Sequence, residues 1–466
     1  MEAWEYESER FYRAAPLEER TYEDWDKAFK REKERDEAIK EEWLGFVPGS
    51  GAPVRLITAT IQAVENLGYR VQGWQEPVER GFSALERGDI PALIEASIEV
   101  RRAIRQAEKD PASEYWNYRR LYSFQEYAAA SGIDELNEGP DSTSFGMEET
   151  ELFSKILGSW TGQAVGDALG TAIEGFAGAQ ISKVYGDIES YVKPPSTLND
   201  DITYQIVLLE SVLEHGKDLT AKQLASAWAA RIPYAWSAED AALGNIMAGL
   251  LPPLTAETEN PYREWIGAQM RGVTPGLLSP GNPREAARLA WMDGSISHTT
   301  NGILGEVFNA LLSSFAFVER DIRNVVEGSV GLIPAGTQYG AVIRDALEAC
   351  RSTDNWQEAW SLCEGKYRRY HWIHSYPNAC AEIIALWFGE GDFHGTAHIV
   401  AMEGMDVDCN AAQVLAVAGT CIGVEAIPTQ WTEPLGGHFD TYLRGKRRYS
   451  FDELSEKTLA AIRKIS

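Results

Sequence analysis

Two short acidic runs stand apart from the other charges of this 466-residue chain: Asn199-Asp200-Asp201, after the loop KPPSTL, and Asp406-Val407-Asp408 within EGMDVDCNAA. Each leads into an apolar stretch of helical period, ITYQIVLLE after the first and AAQVLAVAGT after the second. One carboxylate in such a place is explained as a cap that satisfies free N–H groups and complements the helix dipole. Four carboxylates in two runs cannot all act as caps. Gathered in a core they repel one another unless a cation neutralises them. Oxygen donors without a His or Cys cluster of ligand spacing call for a hard divalent ion, Mg2+, Mn2+ or Ca2+, rather than zinc.

Other candidate ligands carry less. His371 and His374 in HWIH, and His394 and His398 in HGTAH, have the i,i+3 and i,i+4 spacing of chelating pairs. Neither pair has a third ligand, so packing or surface positions are expected. The cysteines, Cys350, Cys363, Cys380, Cys409 and Cys421, form no Cys-x-x-Cys pair and read as reduced thiols of a cytoplasmic protein.

The elements that must position the acids are helices. From Glu148 onward small residues fill apolar segments of helical period, among them ILGSWTGQAVGDALGTAIEG, ILGEVFNALLSSFAFVER and ACAEIIALWFGEG, and almost nothing alternates at period two. An all-α fold follows, with helices able to approach closely. Gly158, Gly162, Gly166 and Gly170 recur every fourth residue on one helix face, which close packing explains without a phosphate, and packing is the preferred reading for Gly158 and Gly162. Asp167, inside that run, reads as a structural, hydrogen-bonded carboxylate.

Residues 1–45 carry dense charge of both signs that can pair at i,i+4, and residues 45–53 are a Gly- and Pro-rich break. Amphipathic helices then run to about Gly132. ELNEGPDSTSFG, residues 135–146, has the composition of a linker. Two domains are expected: an N-terminal helical module, 1–145, and a second domain, 146–466. The aromatic cluster YWNYRRLY, residues 115–122, belongs in a core or between the two domains. The module could serve interaction, oligomerisation or closure of a site.

Charge narrows the partners. With 43 basic and 70 acidic residues the formal charge is -27, which repels a polyanion, and the short KRRY at 446–449 is no segregated basic patch. Nucleic acid is excluded as a partner on this basis. No apolar run reaches the roughly 18–20 residues a membrane helix needs, and MEAWEYESERFYR lacks the basic start and apolar core of a secretory signal.

Taken in order, GQAVGDALGTAIEG, the Asp200-Asp201 pair, SHTTNGILGE around His298 and GMDVDCNAA resemble the ADP-ribosylglycohydrolase family over about residues 150–440. The resemblance implies an orthogonal helical bundle holding one or two divalent ions, usually Mg2+, that bind ribose hydroxyls while a ribosyl N- or O-glycosidic bond is hydrolysed. It implies metal ligation by Asn199, Asp200 and Asp201, where the family reads Thr-Asp-Asp, and by Asp406, Asp408 and Cys409, where it reads Asp-x-Asp-Thr or Ser. Asn199 retains a carbonyl oxygen, whereas Cys409 replaces a hydroxyl by a softer sulfur. Glu174, seven residues after Asp167, falls where the family carries a glutamate at the scissile linkage, and Asp201 is a further candidate for positioning water. His298, Asn301 and Gly302 fall where the family meets the diphosphate or ribose.

The chemistry fits these groups. Breaking a ribosyl C1 bond builds oxocarbenium character that carboxylates stabilise, with a metal-activated water as nucleophile and Glu174 as proton carrier. The DVDCN ending resembles a bacterial branch, which leaves a smaller N-riboside or nucleotide-like substrate beside ADP-ribose conjugates. A homologue that binds such a ligand without turnover is the competing reading.

Overall fold

The computed structural model describes residues 1–14, 23–136 and 147–465. It is all-helical apart from four two-stranded antiparallel ribbons among the described residues. The expected linker lies largely outside them, at 137–146. The mixed-charge segment forms the helix Glu23–Leu44, with Lys30–Glu34 and Lys40–Glu37 pairs along it. No helix among the described residues is long and apolar enough to cross a membrane.

Two cores are present. The smaller gathers Trp43, Ile57, Ile61, Val78, Leu93 and Val100 of the N-terminal helices, and the Trp43 indole N–H donates to Ser97 Oγ at 2.8 Å. A ribbon pairing Gly45–Phe46 with Pro53–Val54 projects from it. The larger core gathers the helices that follow Glu148 together with Leu121, Tyr127, Ala128 and Ile133. The 115–122 cluster lies between the cores: Tyr115 donates to buried Glu264 at 3.0 Å, and the Trp116 indole N–H donates to the carbonyl of Gly68 at 2.9 Å.

The helices Glu149–Gly170 and Val407–Ile422 run antiparallel in backbone contact at the centre of this larger core. All four glycines of the first face the second. A Cβ at Gly158 would strike the carbonyl of Gly419, at Gly162 that of Leu415, at Gly166 the backbone of Ala411, and at Gly170 the amide of Asp408. Because only glycine permits this approach, the ladder draws the end of one helix against the start of the other. Asp167 and Asp408 are thereby brought together.

Candidate metal centre and active site

The two acidic runs meet. Asn199 caps the helix Asp200–His215, its Oδ1 accepting from the Asp201 amide at 2.8 Å, while its Nδ2 donates to Asp408 Oδ2 at 2.9 Å across 209 residues of sequence. The capping that would explain the carboxylates is done by an amide instead. Asp406 stands at the N-cap of Val407–Ile422 and makes no side-chain cap bond. The acids are left for other work.

Their electrostatics show how closely they are grouped. Burial, and then the charges of Asp408 and Asp200, raise the Asp167 carboxyl well above the usual range. Burial followed by Asp167, Asp408, Asp200 and Asp406 does the same to Asp201, and burial followed by Asp408 to Asp406. Asp408 is also raised by burial, against the opposing hydrogen bonds from Asp406 and Asn199. Asp200 keeps part of its surface open and is pushed up to about 7, by the enclosing walls first and Asp408 second. Both oxygens of Asp167 and of Asp201, and Oδ1 of Asp406 and of Asp408, are buried without a hydrogen-bond partner. Asp167 is therefore not the hydrogen-bonded structural carboxylate its setting predicts.

Glu174 stands over this basin, partly exposed, its carboxyl raised well above the usual range by burial and then by Asp408, Asp406, Asp200 and Asp201. Its turn is pinned by main-chain bonds, Glu174 N to Gly170 O at 2.9 Å and Gly175 N to Met405 O at 2.8 Å. The ribbon Phe176–Ala177 with Gly404–Met405 extends that link. Met405, at φ +69°, is in the left-handed region that side chains avoid, and the ribbon holds it there directly before Asp406. Asn378 braces the same turn: its Oδ1 accepts from Asp406 N at 3.2 Å and Asn410 Nδ2 at 2.8 Å. Neither Asn378 nor the strain at Met405 has a signature in the sequence.

A second set of buried charges adjoins the first. Arg271 pairs with Glu239 and with Asp293, each at 2.6 Å, approaches Glu306 at 3.5 Å, and lies over the Trp228 ring at 4.8 Å. Glu239 links the sets, since its charge also acts on Asp200.

The three residues expected at the substrate are engaged elsewhere. His298 is fully buried, with Nδ1 2.8 Å from Ser297 Oγ and 3.7 Å from Glu239, and burial followed by Arg271 depresses its pKa well below the usual range. Asn301 donates to both oxygens of Glu264 at 3.1 and 3.2 Å and accepts from the Tyr339 amide at 3.1 Å. A Cβ at Gly302 would strike the Arg263 carbonyl. Asn301 and Gly302 are taken up by packing, a use their local sequence does not disclose, whereas His298 Nε2 is buried without a hydrogen-bond partner. The histidines of the HWIH and HGTAH pairs take packing and surface roles: His371 stacks on Trp265 at 4.8 Å, His374 caps a helix, and His394 and His398 meet Glu189.

The donor set suits a hard cation. Among the described residues, ligand atoms of Asp406, Asp408 and Cys409 lie within 4.8 Å of one another, and the unpartnered oxygens of Asp167 and Asp201 belong to the same charged group. Cys409 is the misfit. Its Sγ contacts Met270 Sδ at 3.9 Å, and burial followed by Asp201, Asp406, Asp408 and Asp200 keeps the thiol protonated. All five cysteines are free.

A solved structure described as an ADP-ribosylglycohydrolase-related protein complex is similar at 20% identity and a TM-score of 0.48, covering 68% of this chain and 100% of its own. No curated protein matches the chain. The family model for ADP-ribosylglycohydrolase matches residues 148–464, the whole span that carries the acidic basin, and the chain belongs to that family.

Proposed function

We propose that the basin binds a divalent cation, Mg2+ before Mn2+ or Ca2+, and hydrolyses a ribosyl glycosidic bond in an ADP-ribose conjugate or a smaller riboside. The observation that carries this reading is the convergence of five aspartates and Glu174 on one place, with oxygens of Asp167, Asp201, Asp406 and Asp408 buried without a hydrogen-bond partner among the described residues. The glycosyl-hydrolase family to which the chain belongs supplies the reaction class.

In this reading Asp200, Asp201, Asp406 and Asp408 hold the ion, and Asn199 clamps the two ligand-bearing turns through its bond to Asp408. When bound, the ion neutralises the carboxylates and orients neighbouring ribose hydroxyls. Glu174, whose carboxyl is raised above the usual range by burial and then by the neighbouring aspartates, gives a proton to the leaving group or takes one from the attacking water. Asp201 orients the water. The negative basin stabilises the positive charge that develops at C1. His298, Asn301 and Gly302 shape the wall behind Asp200 through Glu239 and Glu264.

Glu174→Gln keeps the shape and removes the titration. With Mg2+ affinity retained by calorimetry, release of ADP-ribose from an ADP-ribosylated peptide, or of ribose from a nucleoside, should fall by about 10²- to 10⁴-fold. Full turnover with metal still bound would remove Glu174 from the mechanism. A non-hydrolytic binding role is the second reading, and one observation favours it: an amide and a protonated thiol occupy positions where hydroxyl ligands are expected. Binding of Mg2+ and ADP-ribose without cleavage of either probe would select it.

A further inference from the structure

We propose that the N-terminal module is a working part of the active site: the tip of its ribbon, residues 47–52, is a positioning element that holds Glu174 in place. The inference rests on the reading of Glu174 as the proton-handling group. The module lies outside the span matched by the family model, yet it reaches the turn that carries this residue.

The tip is braced against itself. Val47 N donates to Ala52 O at 2.8 Å, Gly51 N to Val47 O at 2.9 Å, and Ala52 N to Ser50 Oγ at 3.1 Å. It therefore meets its neighbour as a rigid body. Gly49, at φ +94°, lies so close to Thr171 that a Cβ would strike its Cγ2 and stand 2.9 Å from its carbonyl oxygen. On the facing side a Cβ at Gly175, φ +78°, would sit 2.6 Å from the Cβ of fully buried Ala52. Glycine on both partners lets Gly49 approach the Thr171 carbonyl and Ala52 approach the Gly175 backbone, one contact on either side of Glu174. Lys193 Nζ, from the second domain, donates to Gly49 O at 3.3 Å.

The opposite side of the turn is held by Met405, so Glu174 is clasped between the module and the strand that leads to Asp406. The helix Leu56–Asn66, which follows the ribbon, fixes the module's own position. Its Ala59 and Ala63 pack on Trp265, Thr60 Oγ1 meets the Tyr262 hydroxyl at 2.5 Å, and Gln62 Nε2 donates to Arg369 O at 2.7 Å. A clasp anchored at both ends leaves the turn little freedom, and misplacing a catalytic group by about 1 Å costs on the order of 10²-fold in rate.

The full chain carrying Ala52→Leu tests this, with Ala52→Ser as the conservative control. Amide hydrogen exchange over residues 171–177 should quicken in A52L by about tenfold or more. With an ADP-ribosylated peptide as probe, kcat should fall about tenfold to a hundredfold while KM and Mg2+ affinity stay within about twofold. A52S should behave as the parent. Parent-like exchange or parent-like kcat in A52L overturns the proposal. Should A52L unfold, Lys193→Met removes only the bond to Gly49, and it must still quicken exchange in the turn; unchanged exchange overturns the proposal equally. Should the parent cleave no probe, the hydrolase reading fails, while the exchange arm still decides whether the module holds the turn.

Discussion

Two groups of buried carboxylates lie side by side in this protein and are treated in opposite ways. Around Arg271, the acids Glu239, Asp293 and Glu306 share a permanent cation, and that guanidinium is further covered by the Trp228 ring. Around Asp408, the aspartates and Glu174 form no ion pair with an arginine or lysine among the described residues, and it is the Asn199 amide that donates to Asp408. The first arrangement is complete in itself. The second is complete only with an added positive charge, because uncompensated buried carboxylates must otherwise take up protons. The contrast separates charge neutralised within the fold from charge that no basic side chain neutralises among the described residues.

Removing charge should therefore act with opposite sign in the two groups. Arg271→Met strands its acids and should destabilise the protein by about 3–5 kcal/mol in urea unfolding, with no rescue by Mg2+. A variant as stable as the parent would erase the distinction. Asp408→Asn removes one repelling charge, so the metal-free protein should be at least as stable as the parent. It should lose the gain that Mg2+ confers, about 2.7 kcal/mol at a concentration of 100 Kd. A parent-like gain in the variant would place the ion elsewhere.

The smallest effect is a pH slope. Unfolded aspartates titrate near 4. In the basin they are raised, Asp200 to about 7. Their contribution to stability is thus complete below about pH 4 and is lost as pH rises through the folded values. The metal-free protein should melt at a lower temperature at pH 8 than at pH 5, and saturating Mg2+ should flatten the slope. A slope that metal leaves untouched would assign it to other buried acids, such as Glu382, raised to about 8 by burial.

The helices and the acidic runs are legible in the sequence because both are local: one is a period, the other is adjacency. The glycine spacing is legible for the same reason, and the structure extends its packing role to all four glycines. What the sequence hides is the neighbour across space. Asp167 sits among glycines and offers no local sign that it faces Asp408. Asn378, embedded in SYPNACAEIIALW, has no acidic companion to mark it as the brace of the Asp406 turn. Asn199 is visible as a polar residue before a helix, but its second bond spans 209 residues. The residues after His298 show the converse, a polar motif in which Thr300 and Asn301 are bonded to Glu264 of another segment.

The glycine ladder also bears on how this cleft can change over time. From Gly158 to Gly170 runs about 18 Å of helix, and Asp408 meets the last rung. One additional carbon atom at the far rung would wedge the paired backbones apart and be felt, through the helices, at the acidic basin around Asp408. Sequence drift is thus restricted at sites that never approach the substrate, and a screen for loss of cation affinity should recover substitutions along that whole seam.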